Sequence, residues 1–297
     1  MWVTLHETSP KGVLLITIYI DAVTGPEGQH YWPKQYPYCG GAFQSPIDLK
    51  PGLLRFDPTL RPIEIQNCNL SPNEQLTLGN NGHSGTVRQN ILTSQLHLHW
   101  GSSARVEGSE HTVNSKQYAA EMHVVHFNSD KYATMSMAVD KSDGLAVLGV
   151  LIEVGEFNPA FEKFLRFING IKYKNQKVQV PGFNIRELLP ARLDEYYRYD
   201  GSLTTPPCYP SVLWTVFRNH VTISRTQVLL HSALVSLNVN YRRTQPPDNR
   251  VVLTSFKQGK YGALLFQRER KGHTNGIDPP PPPLFPPRTA SLKDRLK

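Results

Sequence analysis

Long hydrophobic runs are missing from this 297-residue chain. No apolar stretch approaches the eighteen or so residues that a bilayer-spanning helix requires, which excludes a helical membrane span within the sequence. The longest apolar stretches, Leu145–Ile152 and Val13–Ile20 (broken by Thr17), read as buried strands, the second alternatively as a short targeting segment. Cysteine is scarce as well. Three in the whole chain exclude a disulfide-rich scaffold. A basic face is also lacking: of the net charge of +8, residues 257–297 hold nine Lys/Arg against three Asp/Glu, leaving the other 256 residues near neutral. A nucleic-acid-binding domain spreads its basic side chains over a folded surface, so this distribution argues against nucleic acid as a partner. There is no internal repeat.

What is present points to a packed β domain. Hydrophobic residues make up 39% of the chain, with 13 Tyr, 12 Phe and 4 Trp, enough to build a core and exclude wholesale disorder. The 24 Pro and 21 Gly deny long helices a dominant place. From about residue 25 to 257, short β-rich runs alternate with turn clusters such as Asn80-Asn81-Gly82 and Thr205-Pro206-Pro207. One helical pattern stands out from Asn158 to Phe167, with Phe161, Phe164, Leu165 and Ile168 at helical spacing behind Pro159. The expected organisation is one mainly-β (α+β) domain over 25–257. A divergent segment with a weak signal-like character precedes it over 1–24. A basic tail follows over 258–297, where Pro279–Pro283 favour polyproline II and disorder.

The chemistry begins at Gln95-Leu96-His97-Leu98-His99-Trp100. Side chains alternate faces along a strand, so Gln95, His97 and His99 share one face while Leu96, Leu98 and Trp100 take the other. A second stretch, Ala119 to Phe127, puts Glu121, His123 and Val125 on one face and Met122, Val124 and His126 on the opposite one. If the two histidine faces meet, His97, His99 and His123 converge. Three neutral imidazoles with one open position form the ligand set of catalytic zinc. His126 then points away, into the core. Glu121 and Gln95 suit an outer layer of hydrogen bonds that orients the ligating imidazoles.

A zinc-bound hydroxide needs a group to orient it. The turn Gly201-Ser202-Leu203-Thr204-Thr205-Pro206-Pro207-Cys208 can supply one, because the Pro-Pro pair fixes the threonines in place. Thr204 would accept the hydroxide's hydrogen and donate its own to the carboxylate of Glu110.

At this point the chain resembles the α-class carbonic anhydrases, and within them the extracellular, membrane-associated branch. The matching motifs are Tyr36 to Gly41 with Gln44-Ser45-Pro46-Ile47-Asp48, Asn80-Asn81-Gly82-His83, Gln95 to Gly101, and Gly108 to Thr112. Ala119 to His126, Gly144 to Gly149, Gly201 to Cys208 and Val212-Leu213-Trp214 complete the set. The resemblance implies a single domain built on a large twisted, mostly antiparallel central sheet with short peripheral helices. It implies zinc-dependent reversible hydration of carbon dioxide to bicarbonate and a proton. Zinc in such a site brings the pKa of its bound water to about 7, a value for which carbonic anhydrase is itself the reference case.

Carried over by position, the resemblance makes His97, His99 and His123 the zinc ligands and Thr204 with Glu110 the orienting pair. His83 becomes the proton shuttle, a task suited to an imidazole that titrates near neutrality. Val125, Val147, Leu203, Thr205, Val212 and Trp214 form the pocket that receives the substrate. Cys39 and Cys208 pair in a disulfide, and Cys68 is left as a free thiol. Asn69-Leu70-Ser71 is an N-glycosylation sequon. With the cysteine pair it places the protein on the extracytoplasmic side, secreted or, as in relatives, membrane-anchored. Sulfonamide-type inhibition is expected; nothing in the sequence sets an oligomeric state.

The chain departs from the family pattern in three places. Val23 and Asp21 stand where a tyrosine and a tryptophan are expected. Between His83 and Gln95 the chain is shorter by about ten residues, roughly a strand and a turn, and Thr86 is a poor replacement for a polar wall position. A similar shortfall lies between Ser236 and Asn249. A missing strand exposes edges and apolar surface. The alternative reading is therefore a catalytically impaired carbonic-anhydrase-like binding protein.

Overall fold

Runs of β-favouring residues, alternating apolar and polar in some strands and almost wholly apolar in others, form strands that make up most of the regular structure among the described residues. The structure, a computed structural model, describes residues 14–17, 28–65, 75–79, 93–102, 105–171, 176–228 and 239–257. Thus His83, Cys68, Asn69, Asp21, Val23, Thr86 and the tail 258–297 lie outside the described residues. In chain order the strands are β1 (Leu14–Thr17), β2 (Asp48–Leu49), β3 (Leu54–Phe56), β4 (Gln75–Gly79), β5 (Thr93–Trp100), β6 (Thr112–Val113), β7 (Lys116–Gln117), β8 (Ala120–Phe127), β9 (Leu145–Val154), β10 (Lys177–Pro181), β11 (Tyr196–Gly201), β12 (Val212–Phe217), β13 (Val221–Ile223) and β14 (Val252–Thr254). The helices are short: α1 (Trp32–Gln35), α2 (Met135–Ala138) and α3 (Pro159–Leu165).

Among the described residues, eleven strands form one sheet in the order β10-β4-β1-β5-β8-β9-β12-β11-β14-β3, with β13 pairing β9. β2, β6 and β7 make a separate small sheet. The antiparallel ladders β5–β8, β8–β9 and β11–β12 are the longest and hold the centre together. Parallel pairs join β1 to β4 and β5, β9 to β12 and β13, and β14 to β3. The expected family sheet is therefore present, and one of its members is the Leu14–Thr17 part of the apolar N-terminal stretch.

Strand parity divides the interior into two cores. One face of the sheet packs Leu96, Leu98, Trp100, Met122, Val124, Leu148, Val150 and Ile152 against α3, whose Phe161, Phe164 and Leu165 are buried there. This helix starts where the sequence pattern places it. The side chain of Asn158 accepts from the Ala160 and Phe161 amides, and Pro159 occupies the first turn, where a missing N–H costs nothing. The helix stops at Leu165, and Ile168 opens a 3-10 turn instead. On the other face Val125, Val147, Leu151, Val212, Trp214 and Val216 form the second core. The polar positions of β5 and β8 open toward this second face.

Candidate metal centre

The β5–β8 register sets His97 opposite His123 and His99 opposite Glu121. All four residues lie on the same face, as alternation requires, and all are buried, Glu121 and His99 completely. One imidazole nitrogen from each of His97, His99 and His123 lies within 4.8 Å of the other two. His97 Nε2 is 3.1 Å from His123 Nδ1, and the ring centroids are 4.7 to 5.0 Å apart.

Hydrogen bonds elsewhere on the rings decide which nitrogen faces inward. Nδ1 of His99 bonds the Asn240 carbonyl at 2.8 Å, so it carries the proton and leaves the Nε2 lone pair. Nε2 of His123 bonds Glu121 Oε1 at 2.7 Å, which leaves Nδ1 as the available donor. Burial pulls the pKa of His97 well below the usual imidazole value, and the neighbouring imidazoles His123 and His99 add to the effect. Burial lowers His99 as well, partly offset by the Glu110 carboxylate. Convergent, buried imidazoles, two of them with their outer nitrogens held, fit a tetrahedral zinc ion that keeps one position open.

Glu121 does more than orient one ligand. Its Oε1 also accepts from His111 Nδ1 at 2.7 Å, and its Oε2 accepts from the backbone amides of Glu110 (2.9 Å) and His111 (2.7 Å). Burial by itself would raise this carboxyl's pKa. The imidazoles of His111 and His123 overcome that and hold it well below the ordinary range, so it stays an acceptor-only carboxylate. The opposite nitrogen of His111 meets the Tyr199 hydroxyl at 2.6 Å, and that hydroxyl reaches Ser45 Oγ at 3.0 Å. His111, Glu121 and His123 thus form a second close trio. Its 2.7 Å contacts are hydrogen bonds, with protons filling the space a metal would need.

Gly149 sits opposite His123 on β9. A side chain there would place its Cβ 3.2 Å from Glu121 Oε1 and 3.3 Å from Val216, tight on both sides. Trp214 packs edge-on against the rings of His123 and His111, with centroids 4.7 and 4.8 Å away.

Glu110 stands beside the triad. Its Oε2 is 3.4 Å from His99 Nε2, while its Oε1 accepts the Arg242 amide at 2.8 Å. Thr204 is buried in the loop that follows β11. No hydrogen bond joins Thr204 to Glu110 among the described residues. The loop itself is firmly tied. Leu203 N donates to Tyr209 O, Trp214 Nε1 to Ser202 O, and Ser45 N to Ser202 Oγ. A disulfide links Cys208 to Cys39 across 169 positions. Val125, Val147, Val212 and Trp214 belong to one buried cluster with Leu203 packed against it; Thr205 is half-buried in the same loop. Gln95 lies two residues before His97 on the same face, half-buried, while His126 takes the opposite parity.

Three contributors escape the strand-by-strand reading of the sequence. His111 joins Glu121 to Tyr199. Asn240 holds His99 through its carbonyl and, through its side chain, accepts from the Trp100 amide at 2.6 Å and donates to the Leu98 carbonyl at 3.1 Å. The Arg242 guanidinium, its pKa drawn down to about 10 by burial, donates to Gln44 Oε1 and to the carbonyls of Ser45 and Cys39, coupling the disulfide to the segment that positions Glu110.

Comparison with known proteins agrees with this geometry. The sequence model of the eukaryotic-type carbonic anhydrase family matches residues 27–256. Human carbonic anhydrase 12 is 51% identical over 258 residues, covering 79% of this chain and 72% of that protein. Human carbonic anhydrase 6 is 38% identical over 252 residues, covering 78% and 81%. Carbonic anhydrase 6 of Bos taurus is 35% identical over 297 residues, covering 89% and 92%.

Proposed function

The chain belongs to the eukaryotic-type carbonic anhydrase family, zinc enzymes that reversibly hydrate carbon dioxide to bicarbonate and a proton, and from that premise we propose which residues carry the reaction. His97 and His99 through Nε2, and His123 through Nδ1, would hold the metal. Zinc bound there supplies the Lewis acidity that makes water nucleophilic near neutral pH. Every other contribution comes from the protein. Glu110, whose Oε2 is 3.4 Å from His99 Nε2, would take the hydroxyl hydrogen of Thr204, a bond that forms in this reading only once the reactive water is bound. The Thr204 oxygen can then only accept from the reactive water, which turns that water's lone pair toward the pocket. Val125, Val147, Leu203, Thr205, Val212 and Trp214 offer carbon dioxide an apolar wall that excludes competing water. Glu121 holds His123 in the ligating tautomer, and Gln95, two residues before His97 on the same face of β5, is the residue placed to orient that ring. His83 carries the released proton to solvent.

The observation that supports this assignment best is the convergence of three buried imidazoles, two of which have their outer nitrogens held, His99 by Asn240 and His123 by Glu121. The catalytic domain in this reading covers residues 25–257, with 258–297 as an appended tail. The disulfide Cys39–Cys208 and the sequon at Asn69 support an extracellular location. No helix among the described residues is long and apolar enough to cross a membrane.

The test is zinc content measured alongside stopped-flow carbon dioxide hydration on the purified protein. One equivalent of zinc with hydration blocked by an aromatic sulfonamide is the expected result. A folded protein with one equivalent of zinc and no hydration would overturn the catalytic assignments. For the shuttle, His83→Ala should slow turnover in weak buffer and be rescued by added imidazole. Unchanged turnover would remove His83 from the mechanism.

A further inference from the structure

The strand that carries His97 and His99 is paired very differently along its two edges. Toward β8 it makes a ladder from Thr93 to Trp100, with one irregularity between Thr93 and Gln95. Along the other edge the covering is assembled from two remote pieces. β1 pairs in parallel at Leu96 and His97, and the Asn240 side chain takes over at Leu98 and Trp100. β1 also pairs with β4 over its whole length, Leu14 with Leu76 through Thr17 with Gly79. Among the described residues it is the only strand that joins the β10–β4 ribbon to the rest of the sheet.

The direction of β1 is informative. A strand reached from β4 by a tight turn would run antiparallel to it. β1 instead runs parallel to both β4 and β5, so no tight turn from β4 delivers it; the strand filling this place is residues 14–17 of the N-terminal part of the chain. β4 and β5 therefore lie parallel to one another about 10 Å apart, one strand's width left between them. This is also where the sequence runs about ten residues short, roughly a strand and a turn. Unfilled, the slot would leave two rows of backbone N–H and C=O groups unpaired, one of them on the metal strand.

We propose that residues 14–17 are a strand the chain donates to itself, occupying a vacant acceptor slot beside the zinc strand and fixing the position of His97. The slot recognises an extended, β-favouring segment through main-chain hydrogen bonds, the mode by which sheets accept an added strand. Its occupant is this chain's own Leu-Leu-Ile-Thr, which the working protein must therefore retain. The same segment of a second copy would satisfy the same bonds, and concentration-dependent dimers would identify that exchange. The proposal rests on the zinc assignment only for its metal readout.

Hydrogen exchange on the intact chain tests it without mutation. Amides of 14–17 and of Leu96 and His97 should be protected by at least about a hundredfold over an unstructured segment. Ile16→Pro, which removes one ladder donor, should raise exchange at Leu96 and His97 by about tenfold or more. It should speed zinc loss to a chelator by a similar factor while leaving β8–β9 amides protected. Thr4→Pro, outside the strand, should do neither. In a chain lacking residues 1–17, a synthetic peptide of residues 11–20 should restore zinc retention. Unprotected amides at 14–17, an Ile16→Pro protein with unchanged exchange and zinc release, or a mature protein cleaved after Thr17 that still holds zinc would each overturn the proposal. Protected β1 and β5 amides in a protein that binds no zinc would instead overturn the metal assignment and leave this one standing.

Discussion

Two faces of the same strands do two different jobs. On β5, Leu96, Leu98 and Trp100 enter a dry core against α3, where size and shape are what matter. One residue along each time, His97 and His99 face the second core, where every polar atom needs an assigned partner. The first face tolerates loss of a partner as a cavity. The second does not, because a buried imidazole or carboxylate left unpaired costs its desolvation in full. Adjacent residues on one strand should therefore fail in separable ways.

The sharpest separation is between neighbours. His97→Ala should abolish stoichiometric zinc and reduce carbon dioxide hydration to background, while the metal-free protein keeps its cooperative unfolding transition. Zinc content unchanged in that variant would break the ligand assignment. Leu98→Ala, next along the chain, should lower stability by about 3 kcal/mol through the cavity left among Leu96, Met122 and Val124 neighbours. It should still bind one equivalent of zinc, read by denaturant titration alongside metal analysis. Loss of zinc from folded Leu98→Ala protein would mean that the two faces are not independent.

Glu121→Gln probes the polar face more finely. The amide must present two hydrogens where the carboxylate accepts from His111, His123 and two backbone amides, so one side of the network loses its acceptor. Zinc affinity should fall by about 10- to 100-fold, measured by competition with a chelator. An unchanged affinity would show that Asn240 and the ring packing of Trp214 suffice to orient the ligands.

What the sequence made legible was parity. An H-x-H pattern on an alternating strand places two imidazoles on one face, and Glu121 two residues before His123 falls on the same face for the same reason. The apolar side of β5 and the helix at Asn158 follow from the same local periodicities. Neighbours across the sheet did not follow, because a period of two specifies the face of a side chain and says nothing about which distant strand meets it. Asn240 reaches Leu98 across 142 positions and Arg242 reaches Glu110 across 132. His111 lies off the long strands, and its part in the site depends on a carboxylate from β8. The Cys39–Cys208 pairing was accessible through family resemblance alone, since spacing does not choose among three cysteines. Leu14–Thr17 reads equally as a strand or a targeting segment, and its pairing with β4 and β5 lies beyond the reach of local pattern.

The two faces should also differ in how stability responds to acid. In the metal-free protein, burial keeps His97 neutral well below the pH at which it would protonate in the unfolded chain, near 6.5, and lowers His99 in the same direction. The unfolded state then binds more protons than the folded one, so stability present above about pH 6.5 is lost progressively as pH falls, by up to about 1.4 kcal/mol per pH unit for each histidine. Glu121, held below its ordinary value, acts in the same direction but in a lower window. Its contribution is intact above about 4.5 and lost as pH falls through its folded pKa. Equilibrium denaturation of the metal-free protein between pH 7.5 and about 5 should give this slope, and His97→Ala should remove about one histidine's share of it. Leu98→Ala should lower the whole curve without changing its shape, because the apolar face exchanges no protons. Parallel curves for wild type and His97→Ala would mean that the imidazole is not buried neutral, and the electrostatic half of the comparison would fall.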